Sequence, residues 1–374
     1  MPGTTEANKF LYYACEILNP SATIPCNRPT LLSAKSQSHI QYQLKTLVLP
    51  ASEWDKLIAR FETKQVFHES GWLEFLEQSH GGRRMTLEIS NGSGVVGYFC
   101  GMTIRKGPFL IFGSPLHGWG TPNLGPIVDR KGFDTAAFLQ ALSLYSKKNK
   151  VDLLEICCDW MESSALEAAG FRAAPDVTHT IQLTTVEDAW AGMFKTTRNY
   201  VRRAEKNGIE IEVAETEEVA HDHFEQLKAV FARKGQVPPY GMERPLLQWR
   251  CLRPTGRIMI LRAIHDGRCI ATYVLVYDDH GMWGLATASF PDALDLRPNE
   301  LIHWRAIEMA SQMKIPYYDF CGGGDYKKKY GAKEVPRIRW IRAYSRLAGA
   351  AYDAYGRWHS VKRSASAAIR RWKP

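Results

Sequence analysis

No CxxC pair joins any of the eight cysteines, and none of their spacings is that of a zinc ligand set. Several, such as Cys157, Cys158 and Cys269, stand in apolar, strand-like runs where a thiol serves as a small hydrophobe. A reducing, cytoplasmic compartment is the simplest expectation. Apolar residues nowhere run unbroken for about 18 positions, which leaves no candidate for a membrane-spanning helix. The opening MPGTTEANKFLYYACEILNP lacks the basic start and apolar run of a signal peptide. HExxH, GxSxG and the phosphate-cradling GxxxxGKS/T are missing too. His221 and His223, two positions apart, fall on different faces of a helix, so the expectation is a protein with no metal.

What is there describes a folded protein. An apolar fraction of 45% with 23% charged residues argues against extensive disorder. A chain of 374 residues is longer than one core usually grows, so two domains are expected. The net charge of +9 favours anionic partners such as phosphates, CoA, tRNA or an acidic lipid surface, without choosing among them.

Element order carries the next inference. Residues 1–39 read as a polar, proline-broken extension. From Ile40 a strand is followed by SEWDKLIARFE, a helical spacing with a serine start signal, and by a short helix around SGWLEFLEQSH. The strands RMTLEIS, VVGYFCGMTI and PFLIFGS come next, separated by Asn91-Gly92 and Lys106-Gly107 and expected to form antiparallel hairpins. A helix over residues 133–148 and the buried strand VDLLEICC complete the set. The same order returns in RIMILRAIH, CIATYVLVYD, MWGLATAS, the helix NELIHWRAIEMASQM and the strand YYDFCGG. The expected fold is therefore α/β: two tandem units, each a mixed, mainly antiparallel sheet flanked by helices. The expected boundaries are 40–185 and 186–346, followed over 347–374 by a basic helical tail in which six Lys and Arg from Arg357 to Lys373 face a lone Asp353.

Chemistry concentrates in two segments. In DFCGGGDYKKKYGAKE, residues 319–334, a buried strand ends at Asp319-Phe320 and runs into three glycines, then into Asp325, Tyr326 and the lysines from Lys327 to Lys329. Glycine there allows close backbone approach or positive φ, and strand ends of α/β sheets are common ligand sites. In FKTTRNYVRRAEKNG, residues 194–208, Arg198 and Arg202 share one helical face at a spacing suited to gripping phosphate or carboxylate. The loop FGSPLHGWGTPNLGPIV offers Trp119 and His117 as a pocket wall or as a rigid connection, and Tyr240 in KGQVPPYGMER as a substrate contact or as packing.

The run TRNYVRRAEKNGIEIE, then RPNELIHWRAIEMASQMKIPYYDFCGG, then YKKKYGAKE resembles the FemAB and CelD-like branch of the GNAT acyltransferases. The likeness in element order spans about residues 40–345, with the specific motifs confined to 190–335. It implies two tandem GNAT-like units and direct transfer of an acyl group from a thioester or ester to an amine, with no covalent enzyme intermediate. By position it implies that Lys327 binds phosphate or the developing oxyanion and that Arg198 and Arg202 grip the substrate. Asp319 and Tyr326 are the candidates for proton handling, although a strand-end aspartate equally suits accepting from backbone donors. The implied donor is acyl-CoA, with aminoacyl-tRNA as the alternative. The implied acceptor is an amine on an amino sugar or lipid-linked precursor of cell-surface polysaccharide. The tail is a candidate for peripheral contact with an anionic membrane at its inner face. One departure stands out: SFPDALDLRPNE, residues 289–300, has no glycine where CoA-using members carry the loop whose N–H groups cradle pyrophosphate.

Overall fold

A computed structural model describes residues 41–354; the expected extension over 1–39 and the basic tail beyond 354 lie outside the described residues. In chain order the elements are β1 (Gln43–Thr46), α1 (Ala51–Ile58), α2 (Ser70–His80), β2 (Arg83–Asn91), β3 (Gly94–Lys106), β4 (Phe109–Ser114), β5 (Gly125–Val128), α3 (Thr135–Lys148), β6 (Leu153–Ile156), α4 (Ser163–Ala168) and β7 (Arg172–Gln182). They continue with α5 (Val186–Gly192), α6 (Lys195–Lys206), β8 (Glu210–Val213), α7 (Glu218–Ala232), α8 (Glu243–Leu252), β9 (Ile258–His265), β10 (Arg268–Tyr277), β11 (Met282–Ser289), α9 (Pro298–Gln312), β12 (Tyr317–Asp319) and β13 (Lys333–Ala343).

Two compact units result, and neither is contiguous. The amino-terminal unit gathers residues 41–64, 81–174 and 339–354, and the carboxyl-terminal unit 65–80 and 175–338. The expected halves, 40–185 and 186–346, therefore differ from this partition at three places. Strands β7 and β13 each begin in one unit and end in the other, and the segment holding α2 belongs to the carboxyl-terminal unit. That segment is fixed there by named contacts: the Val66 N–H donates to Asp278 at 2.5 Å, Arg257 pairs with Glu69 at 3.1 Å, and Phe67 meets the edge of Trp283 at 4.9 Å between ring centres. On α2 a Cβ at Gly71 would stand 3.0 Å from the Cys251 carbonyl on α8. Local periodicity yields the helix but says nothing of the partner it packs on.

In the amino-terminal unit the sheet runs β1-β2-β3-β4-β6 and then the last residues of β13, with β5 paired to β3. The strands from β1 to β4 are antiparallel, as expected, and α3 crosses from β4 to a parallel β6. Helix α3 begins where Asp134 accepts from the Ala137 N–H at 3.0 Å. Its inner face places Phe138 edge-on to Phe99, which meets Phe112, all three fully buried. Each such ring stabilises the core by roughly 2–3 kcal/mol of apolar burial. Helix α1 begins after Pro50 with no side-chain cap, so Ser52 is not the start signal that its position suggests.

The carboxyl-terminal unit repeats the plan with β7-β12-β11-β10-β9-β8. The pairs β8/β9, β9/β10 and β10/β11 are antiparallel, and α9 crosses from β11 to a parallel β12. Helix α6 turns Thr197, Val201 and Ala204 inward, and its arginines lie on the other faces.

Candidate functional site

The two parallel pairs end differently. In the amino-terminal unit β4 and β6 pair up to Ser114 and Ile156, and the Cys157 N–H still donates to the Ser114 carbonyl at 3.0 Å. That seam is closed to the end of β4. In the carboxyl-terminal unit β11 pairs with β12 only through Met282–Tyr318 and Trp283–Asp319, and from Gly284 to Ser289 no strand among the described residues pairs with it on that side. Its other side stays paired to β10 through a bulge: Leu275 opposes Gly284, Val274 opposes Ala286, and Leu285 is the extra residue. A bulge bends and twists its strand, and here it falls where β12 stops.

Gly284 makes this possible. The space a Cβ would fill is occupied by the Tyr273 ring and hydroxyl. That hydroxyl receives a hydrogen bond from the Tyr318 hydroxyl at 2.9 Å, tying β10 to β12 across the missing side chain of β11. Both phenols are buried, and burial raises the Tyr318 pKa, which keeps that hydroxyl a donor.

Beyond β12 the chain forms a loop in which successive polar groups find partners. The Phe320 N–H donates to the His179 carbonyl at 2.9 Å, the Cys321 N–H to Asp319 at 2.7 Å and the Gly322 N–H to the Thr178 hydroxyl at 3.0 Å. The carbonyls of Phe320, Cys321 and Gly322 all accept from the Lys327 ammonium, at 3.1, 3.1 and 2.9 Å. Cys321 and Gly322 have φ of 54° and 91°, which turns these carbonyls toward a common donor. Asp319 in turn accepts from Thr178 at 2.5 Å and Arg337 at 2.7 Å.

These distances show where two of the expected site residues sit. Lys327 is 2% exposed, and its three ammonium protons are directed at carbonyls rather than at an open phosphate or oxyanion position. Burial lowers its pKa to about 8. Asp319, fully buried, takes strong donors on both carboxylate oxygens, which leaves no geometry for receiving a substrate proton. Both residues build the loop.

Tyr326 starts the same turn and is half-buried, and desolvation raises its phenol pKa. A buried imidazole, His303 on α9, is walled by Tyr273, Phe320 and Tyr330 at 4.4, 5.7 and 5.1 Å between ring centres. Burial first, then Lys329 and Lys327, lowers its pKa to about 3, so it is neutral. The start of α9 lies beside this turn: Lys329 pairs with Glu300 at 2.8 Å and the Tyr330 hydroxyl donates to the Asn299 carbonyl at 3.4 Å. No side chain caps α9, in contrast to α3 with Asp134. Its first N–H groups are set beside Arg297, whose guanidinium lies 4.2 Å from the centre of the Tyr200 ring. Residue typing alone gives Arg297 no prominence, since its place at the start of α9 shows only in the fold.

The start of α6 meets this turn through its backbone, where the Phe194 N–H donates to the Lys329 carbonyl at 3.0 Å. The expected cationic segments are thus adjacent, but their side chains diverge. Arg198 donates to the Trp190, Ala191 and Met193 carbonyls at 3.2, 2.9 and 2.6 Å, closing the end of α5. Arg202 is exposed, lies over the Trp190 ring at 5.3 Å and reaches Asn199 at 3.2 Å. Tyr240 belongs to another cluster, with Arg244 4.6 Å from its ring centre and Phe75 on the far side of that guanidinium's reach at 5.9 Å. Trp119 lies in the amino-terminal unit, its ring so close over Gly82 that a Cβ there would approach to 2.5 Å. It is a packing residue of that unit.

Comparison with known proteins fits this geometry. Residues 191–330 match the family model described as an acetyltransferase (GNAT) domain. Over that stretch the chain is similar to a GNAT acetyltransferase domain. The match runs from the end of α5 to the Lys327 turn, and so takes in the open seam. The fold of the chain is similar to that of FemX, at 14% identity and a TM-score of 0.64, over 79% of this chain and 96% of that one. It is also similar to a C-terminal domain assigned to a lysylphosphatidylglycerol synthetase of Agrobacterium fabrum, at 14% identity and a TM-score of 0.53, over 82% and 97% of the two chains. L-PGS from Bacillus licheniformis shares 12% identity with a TM-score of 0.52, over 80% and 94%. At such identities the likeness is one of fold. No curated protein matches the sequence. Among the described residues no helix is long and apolar enough to cross a membrane.

Proposed function

We propose that the protein is an N-acyltransferase of the FemAB or CelD-like branch, which moves an activated acyl group from acyl-CoA to an amine. The acceptor in this reading is an amino sugar or lipid-linked precursor of cell-surface polysaccharide. The observation that carries it is the seam open from Gly284 to Ser289 beside the locked loop after Asp319. An acyl group laid in that gap would have its carbonyl oxygen beside the edge of β11 that no described strand pairs with, where backbone N–H groups could meet the developing oxyanion. The amine nitrogen attacks the carbonyl carbon, the carbon–sulfur bond breaks, Tyr326 protonates the departing thiolate, and the proton lost by the amine returns through water to the Tyr326 phenolate. Desolvation keeps the Tyr326 phenol protonated, so a proton is present there for the thiolate as its charge develops. Lys327 and Asp319 act by holding the loop, and Arg297 with the uncapped start of α9 meets the donor's phosphates. Arg202 is available to an anionic group of the acceptor.

A second reading, an aminoacyl-tRNA-dependent transferase, is favoured by two observations. The segment before α9 lacks the glycines of a pyrophosphate cradle, and the fold is shared with FemX and with domains named for lysylphosphatidylglycerol synthesis. The test is full-length protein incubated with amine acceptors and either a panel of acyl-CoAs or charged tRNA, with products read by mass spectrometry. Amide formed from acyl-CoA supports the first reading and amide formed only from tRNA the second. Absence of transfer from both donors across the panel defeats both.

A further inference from the structure

His179 on β7 poses a hydrogen-bonding problem that its own surroundings do not solve. Its side chain is 1% exposed. Nδ1 lies 3.3 Å from the Gly322 carbonyl oxygen, and Nε2 lies 3.7 Å from a carboxylate oxygen of Glu334. Both neighbours are acceptors, whereas a neutral imidazole carries one N–H. With the Nδ1 proton on the Gly322 carbonyl, the Nε2 lone pair faces the Glu334 carboxylate. Nε2 is buried and has no hydrogen-bond partner among the described residues.

The neighbourhood completes a ligand set. One atom each from His179, Asp325 and Glu334 can be chosen so that all three lie within 4.8 Å of one another. Lys328 bridges the two carboxylates, at 2.9 Å from Asp325 and 3.2 Å from Glu334. An ammonium there shows that the position attracts a cation, but it leaves the imidazole unsatisfied. The three residues come from β7, the turn after Gly324 and the start of β13, so no sequence spacing exposes them as a set.

We propose that His179, Asp325 and Glu334 bind a divalent transition-metal ion, Zn²⁺ fitting one imidazole and two carboxylates best, with Lys328 displaced toward solvent. The Gly322 carbonyl on Nδ1 is the outer partner that a metal-bound histidine ordinarily has, fixing the tautomer that points Nε2 at the ion. Zinc–ligand bonds of about 2.0–2.2 Å need the carboxylates to draw inward. They can do so, because the Asp325 and Glu334 side chains are 89% and 47% exposed while the imidazole stays fixed. The bound ion would join the Tyr326–Lys327 turn to β7 and β13 and so brace the loop from outside. This inference is independent of which acyl donor the protein uses.

The test is calorimetric titration of metal-stripped, full-length, reduced protein with ZnCl₂, beside Asp325→Asn, Glu334→Gln and Lys328→Ala. One saturable site is expected, weakened at least tenfold in each carboxylate variant and tightened severalfold when Lys328 is removed. Cobalt substitution should give weak visible bands without the intense near-ultraviolet absorption of thiolate ligation. No saturable uptake, unchanged affinity in Asp325→Asn and Glu334→Gln, or a thiolate spectrum placing the ion on the cysteines would each overturn the proposal. Because both carboxylates are solvent-facing, their substitutions leave the fold in place for comparison.

Discussion

Lys327 is buried in a motif whose own backbone surrounds its ammonium. Three carbonyls of consecutive residues converge on its ammonium, and removing it would leave buried acceptors without donors, at about 1–3 kcal/mol for each group left unsatisfied. Relaxation of the loop would recover part of that. Lys327→Met is therefore expected to lower unfolding free energy by about 2–4 kcal/mol. It should also speed amide exchange at residues 320–322, measured by denaturant melts and hydrogen exchange. An unchanged melt with activity alone lost would return Lys327 to the substrate-binding role that the motif implies. The sequence draws attention to Lys327 and Asp319 but does not show the contacts they make. Their partners Thr178, Arg337 and the loop carbonyls are distant in sequence or are backbone, and residue type reveals neither.

At the scale of the element, the open seam depends on one residue that periodicity cannot distinguish. Gly284 sits in MWGLATAS, which reads as an ordinary buried strand. Only the paired structure shows Tyr273 occupying its side-chain space and a bulge at the next residue. Gly284→Ala is expected to push Tyr273 from the Tyr318 hydroxyl and to destabilise the protein by about 1–3 kcal/mol, as overpacking does. Comparison of denaturant midpoints with wild type checks it. The elements themselves were largely legible: the hairpins β2-β3-β4 and β9-β10-β11 and the helices α3 and α9 follow from alternation and helical spacing. Strands β7, β8 and β13 escaped, being mixed in polarity; β8, for example, holds two glutamates in four residues. Arg198 was legible as a cation on the right helix, and its engagement with the α5 carbonyls was not.

For the molecule as a whole, the carboxyl-terminal unit carries an acid-sensitive interior. His223 and His303 are fully buried, and burial is the main cause lowering their pKa to about 4 and about 3; His80, less enclosed, is also lowered to about 4. A histidine with a depressed folded pKa binds its proton more readily once unfolded. Stability is thus complete above the unfolded value near 6.5 and is lost as pH falls toward the folded values. At pH 5 unfolding should take up about two protons from His223 and His303, a slope of roughly 2.7 kcal/mol per pH unit. Unfolding midpoints measured between pH 7 and pH 4.5 should fall steeply below about 6.5; a flat profile would show these imidazoles to be accessible to protons in the native state. The duplicated plan of two units was readable from element order. The exchange of segments between them was not, because local pattern carries no information on which sheet a strand joins.

The most direct measurement is hydrogen exchange by mass spectrometry with and without the donor that supports transfer. Protection is expected along Gly284–Ser289 and in residues 320–324, where the seam between β11 and the loop stands open. Protection confined to the closed seam of β4 and β6, with the β11 segment unchanged, would contradict the account.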